Sequence, residues 1–154
     1  MRAVLLGLWL GCFLAVLPLH AAQLWLALPD AVRNGDPFFE HHADLPKLEL
    51  GEVLATVFIG SLGSAASPAT VFTPLVGAEL QVSGTAKLPL NAGFEHGVLV
   101  VSGSATINGE VVAKDQLFYV EAGVSELDLS GDFTALLIGG EPFAEPIVMW
   151  WNFI

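Results

Sequence analysis

From Pro29 onward, turn-forming residues interrupt the chain roughly every eight to twelve positions, and the runs between them are short and rich in β-branched and aromatic residues. That spacing leaves little room for helices. No window longer than about ten residues carries a convincing 3.6-residue apolar period. Residues 53–59 (VLATVFI), 75–82 (LVGAELQV), 98–101 (VLVV), 116–120 (QLFYV), 125–129 (SELDL), 133–138 (FTALLI) and 147–151 (IVMWW) read as strands. Residues 106–112 (TINGEVV) read as a hairpin, because Asn108-Gly109 supplies the two positive-φ residues of a type I′ turn. A turn cluster stands at 30–37 (DAVRNGDP), and a Gly/Ser/Ala/Pro stretch at 60–70 (GSLGSAASPAT) reads as a loop. The pattern predicts an all-β sandwich or barrel.

The chain has 154 residues, enough for one domain. It is 54% hydrophobic and only 14% charged, where a soluble domain carries about a quarter charged residues. The surplus predicts apolar surface facing lipid or another protein. The formal net charge is −11, from 16 acids and 5 bases, with no Lys/Arg cluster. Such a surface repels phosphates, so no nucleic-acid partner is expected. One cysteine, Cys12, leaves no disulfide framework and no cysteine-based zinc site within one chain. Residues 3–17 form an apolar run after Arg2, shorter than the ~20 residues that span a bilayer. The run reads as a signal peptide with a poor cleavage site, His20 standing where a small residue belongs. A core strand or a mis-assigned start accounts for it equally. Export follows if residues 1–22 are a leader, and membrane contact arises only through residues 1–20 if they stay attached.

Five segments carry a family resemblance in order: residues 20–29 (HAAQLWLALP), 39–42 (FEHH), 67–77 (SPATVFTPLVG), 94–103 (FEHGVLVVSG) and 135–153 (ALLIGGEPFAEPIVMWWNF). Together the chain resembles the C-terminal half of a pirin-family protein, over roughly residues 19–154. The resemblance implies one cupin-type β-barrel, a double-stranded β-helix or jelly roll. It also implies that family members are bicupins, whose N-terminal barrel holds iron through a His-x-His pair, a later His and a Glu. Nothing in this chain matches those elements, so the metal-binding N-terminal cupin is expected to be absent. The expected division is an apolar leader or non-family segment over 1–22, a remnant strand and linker from a first cupin over 23–47, and the C-terminal-type barrel over 48–154. By the same resemblance the chain belongs in the cytoplasm.

Metal-binding cupins aim imidazoles and a carboxylate at one point from adjacent inward-facing strands. When that pattern is laid on this chain, His96 falls at the glutamate position, and no imidazole stands near residues 89–92 where two histidines belong. In the second motif, residues 121–126 (EAGVSE) put Glu126 in place of the last histidine. His96, Glu126, Asn91 and Glu95 are therefore the candidate pocket. Two donors bind weakly, because first-row metals take three or four. No catalytic, cofactor-binding or metal-ligating residue is expected. Iron or another divalent ion enters only if the dioxygenase reading below holds.

Each candidate has a plainer role beside the chemical one. His96 next to Glu95 reads as a rim residue with an ion-pair partner. His41 and His42 are adjacent and would point to opposite faces of a strand. Docking or a structural hydrogen bond suits them better than metal binding. Glu141-Pro142 and Glu145-Pro146 read as an extended strap. Ser61, Ser64 and Ser67 lack a G-x-S-x-G turn, so nucleophilic hydrolysis has no support. Trp150 and Trp151, with Phe143, Phe153 and residues 24–26, predict an apolar patch that meets a partner.

Three functions follow as expectations. The first is a metal-free docking or structural module, whose partner is a separate first-barrel chain or a second copy. The second, implied by the resemblance alone, is quercetin 2,3-dioxygenase activity dependent on a metal or a partner chain. The third is an exported barrel that holds an apolar ligand.

Overall fold

Which side of a strand is buried is decided by alternation of side chains along it. In the computed structural model, which describes residues 21–144, that alternation is carried by eight strands. They are β1 (Lys47–Leu50), β2 (Val53–Leu62), β3 (Ala65–Ala66), β4 (Leu75–Pro89), β5 (Glu95–Ile107), β6 (Glu110–Val112), β7 (Leu117–Val120) and β8 (Glu126–Gly140). Every pairing is antiparallel, in the order β1-β2-β4-β8-β5-β6, with β3 added to β2 and β7 to β5. No helix occurs among the described residues. The all-β jelly-roll expectation therefore holds.

Three long strands make the frame. β8 runs between β4 and β5, paired with β4 without a break from Leu75↔Gly140 to Pro89↔Glu126. The sequence pattern suggests two strands here, interrupted at Ser130-Gly131. The structure joins them into one strand, because Gly131 continues the ladder at a φ of 132° that only glycine tolerates. A Cβ on Gly131 would sit 2.3 Å from the Ser104 carbonyl oxygen, and one on Gly103 2.1 Å from that of Asp132. These glycines let the long ribbon turn over on itself. Backbone bonds from Leu90 N–H to Ser125 O (2.8 Å) and Gly123 N–H to Ala92 O (2.7 Å) then fasten the segment before β5 to the segment before β8.

The core is one cluster. It takes Ala78, Leu80, Val82 and Leu88 from β4, and Leu127, Leu129, Phe133, Ala135 and Leu137 from β8. β5 contributes Val98 and Val100, then Ala105 and Ile107. The change from even to odd positions is made by a bulge at Val101, between the pairs Val100↔Ala135 and Ser102↔Thr134. β2 makes the reverse change, from odd to even, between Val57 and Ile59.

The Asn108-Gly109 hairpin forms as expected, both residues at positive φ, with Ile107 opposite Glu110. Two expectations need correction. Residues 60–70 are not a simple loop: β2 runs on to Leu62, turns at Gly63-Ser64 and returns as β3, and the Ser67 hydroxyl donates to Phe58 O at 2.8 Å. Residues 23–46 hold no strand. They form a turn around Pro29 to Gly35, closed by bonds to Pro29 O and Val32 O, and otherwise irregular chain. The proposed strand 147–151, the apolar run 3–17 and Cys12 lie outside the described residues.

Candidate functional site

β5 starts at the open end of the sheet, and its inward positions are His96, Val98 and Val100. Parity alone puts an imidazole in the core. His96 is 3% exposed and is the one buried polar or charged residue among those described. Its ring lies against the backbone of Gly139 on β8, where an added Cβ would fall 2.6 Å from Cδ2. Desolvation holds its pKa below the ordinary 6.5, so the ring is neutral at neutral pH. Nδ1 is buried without a hydrogen-bond partner. Leaving such a group unpaired costs roughly 1–3 kcal/mol. The expectation of a rim histidine with an ion-pair partner is therefore wrong. Glu95 points to the other face and accepts a hydrogen bond from the Tyr119 hydroxyl (2.9 Å), which raises the tyrosine pKa.

Beside His96 stands Phe94, their ring centroids 5.9 Å apart. Phe94 also forms part of the wall of a cavity of about 290 Å³, bounded by Ser61, Leu62 and Gly63 from the β2–β3 turn and by Pro89, Leu90 and Asn91. The side-chain oxygen of Asn91 caps the backbone N–H of Gly93 (2.9 Å), and Phe94 N–H donates to Asn91 O (3.0 Å). Of the four candidate pocket residues, Asn91 alone lines this cavity. The β2–β3 turn was hidden from sequence reasoning, because residues 60–70 read as a loop with no partner.

Glu126 does not share the interior with His96. Leu127 and Leu129 are the inward residues at that end of β8, so Glu126 faces out, where it pairs with Lys87. Asp128 takes the same ammonium group at 3.0 Å, and the two acids raise the lysine pKa. His41 is exposed, whereas His42 contacts the Glu40 carboxylate at 3.4 Å. Glu40 also accepts bonds from the Thr70 N–H (2.9 Å) and hydroxyl (2.7 Å), which lower its pKa. These contacts tie the segment before β1 to the chain after β3. Trp150 and Trp151 lie outside the described residues.

A cupin metal centre needs converging donors, and these residues do not provide them. Among the described residues no group of three or more His, Cys, Asp or Glu side chains is placed to hold an ion. Among the described residues His96 is the one buried imidazole, its ring beside Phe94 and the backbone of Gly139.

The outer face of the same sheet carries an apolar row. Leu136 stands opposite Leu99, and Leu99 opposite Leu117, making a row across β8, β5 and β7. Beside the row, Leu117 and Ile138 close over Gly97. Leu117 and Tyr119 are each 56% exposed. Farther along, Ala21 and Ala22 approach this face and, with Val101, Lys114, Leu136 and others, border an open hollow of about 560 Å³.

Comparison with known proteins follows this geometry. The family model for the pirin C-terminal cupin domain matches residues 75–154. A Pseudomonas aeruginosa protein that carries the provisional name quercetin 2,3-dioxygenase is 41% identical over 139 residues, covering 88% of this chain and 44% of that protein. A pirin-like protein of Caulobacter vibrioides is 32% identical, over 86% of this chain and 47% of its own length. The crystal structure of quercetin 2,3-dioxygenase from Acinetobacter baumannii superposes with a TM-score of 0.77 at 42% identity, over 83% of this chain and 44% of that one. The chain thus spans about half the length of the curated relatives it matches.

Proposed function

The chain belongs to the pirin family, and from that premise we propose that it is a metal-free cupin module that docks through apolar surface and has no catalysis of its own. The working unit in this reading is the barrel of residues 48–154, with 23–47 as a linker. The observation that carries it is the outer row Leu136–Leu99–Leu117 with Tyr119 beside it. An apolar patch, exposed at Leu117 and Tyr119 and half-buried at Leu99 and Leu136, marks a contact site. Its occupant is a second cupin barrel, either another copy of this chain or a separate chain of the same fold. Sedimentation equilibrium of the purified protein tests this. Concentration-dependent association, weakened at least about tenfold by Leu117→Glu, is the expected result. A monomer at all concentrations that also fails to bind an added metal-binding cupin chain of the family would sink it.

A second reading is favoured by what the relatives are called. At 41–42% identity, two of them bear the name quercetin 2,3-dioxygenase. In that case this barrel serves an active site whose metal donors come from elsewhere. An open metal position is what such chemistry asks for. Turnover of quercetin by the metal-loaded chain alone would displace the docking reading. No turnover at any iron, manganese or nickel loading would retire the activity for this chain by itself.

A further inference from the structure

The chain carries two Asn-Gly pairs, Asn34-Gly35 and Asn108-Gly109, and all four residues are exposed. Asparagine before glycine is open to deamidation, because glycine has no side chain to shield its nitrogen. That nitrogen attacks the asparagine Cγ and a C–N bond forms. The Cγ–Nδ2 bond breaks, and ammonia leaves with the proton of the glycine N–H. The product is a five-membered succinimide. Water then opens the ring at either carbonyl, giving aspartate or isoaspartate. No reagent but water is consumed. The asparagine backbone and carboxamide must, however, turn together until Cγ faces the nitrogen.

At Asn108 the fold resists that turn. The Asp128 N–H donates to Asn108 Oδ1, and the Asn108 N–H donates to the Asp128 carbonyl oxygen, each at 2.9 Å. Ile107 is paired with both Glu110 and Leu129, so the turn is held from two sides. Its φ values of 50° and 83° are those that a type I′ turn demands. Ring closure there breaks the clamp on Asp128 and the turn with it. Gly109 N–H is spared a backbone bond, but a free nitrogen gains nothing while the carboxamide is held. Asn34 stands in a turn that belongs to no sheet. Among the described residues its carboxamide makes no hydrogen bond. The bond that must open is the one from Gly35 N–H to the Val32 carbonyl, 3.0 Å.

We propose that Asn34 is a site of spontaneous modification, converting to aspartate and isoaspartate in the folded protein, while the same dipeptide at Asn108 is protected. Isoaspartate routes the main chain through its side-chain carbons and so adds one backbone atom before Gly35. It also sets a new carboxylate between Asp30 and Asp36. The change falls in the turn that borders an open hollow lined by Leu28, Val32, Phe38 and Phe72. The docking reading is not needed for any of this, and either can fail without the other.

Ageing the full chain in mildly alkaline buffer tests the proposal. Peptide mapping by mass spectrometry separates the two positions, and an isoaspartyl methyltransferase labels the isoaspartate. Asn34 is expected to convert at least about tenfold faster than Asn108, the worth of the additional hydrogen bond that Asn108 must break. In urea the two rates are expected to come within a few fold of each other. Gly35→Ala is expected to slow conversion at Asn34 and leave Asn108 unchanged. Conversion at Asn108 as fast as at Asn34, or no conversion at Asn34, would overturn the proposal. So would a ratio that persists undiminished in urea, since the local sequence and not the fold would then set it.

Discussion

Near pH 6 the pH response of the described barrel runs through one buried imidazole. His96 is buried, and desolvation alone lowers its pKa from 6.5. Between the lowered value and 6.5 the unfolded chain binds a proton that the folded chain does not. Unfolding then takes up a proton, and stability falls as pH drops below about 6.5. Urea midpoints measured from pH 8 to pH 5 should decline for the native sequence. His96→Gln should lose the part of the decline that lies nearest pH 6, since glutamine does not titrate and the carboxylates titrate lower. An identical pH profile in both proteins would show that the ring is not held neutral. Alternation of His96 with Val98 and Val100 was visible in the sequence, but the adjacent Glu95 suggested an ion pair. Strand geometry sends neighbours to opposite faces, and the glutamate went to Tyr119 instead.

At the scale of the strand, one extra residue decides what is inside. Before Val101 the inward residues of β5 are even-numbered, and after it they are odd-numbered. Inserting one residue between Ser104 and Ala105 would turn Ala105 and Ile107 outward, or force the hairpin out of register with β8. Exposing Ile107 costs about 1.5–3 kcal/mol in lost burial, and Ala105 adds less. The hairpin would also lose the bonds between Asn108 and Asp128, each 2.9 Å. A loss of several kcal/mol is expected against a total of about 5–15 kcal/mol for a domain. Chemical denaturation of the insertion variant checks it, and a loss under 1 kcal/mol would mean that the strand absorbs the extra residue as a second bulge. The sequence pattern located the strands that surround this bulge. It could not locate the bulge, because VLVVSG is compatible with several registers until β8 supplies a partner.

For the whole molecule, charge and apolar surface act against each other. A net charge of −11 repels copies of the chain, while the leucine row on the outer face attracts them. Added salt shortens the Debye length from about 30 Å at 0.01 M to about 8 Å at 0.15 M and removes the repulsion first. Association by the apolar face should therefore strengthen severalfold over that range, as sedimentation equilibrium would read it. Weakening with salt would point instead to a contact made by ion pairs.

The sequence by itself determined the fold class, since β-branched runs cut by glycines and prolines admit little else than antiparallel strands. It determined the Asn108-Gly109 hairpin too, where two adjacent residues meet the whole conformational demand of the turn. The cupin spacing laid on it suggested a pocket shared by His96 and Glu126, which the structure does not form. Tertiary structure alone decided that Glu126 faces out to Lys87 and that His96 stands inside without a partner. It alone joined residues 126–140 into one strand through Gly131 and raised β3 out of a stretch that read as loop. The physical reason is the range of the interactions involved. Turn chemistry and strand preference act over a few residues, whereas the face a side chain occupies depends on bulges and on partners far along the chain.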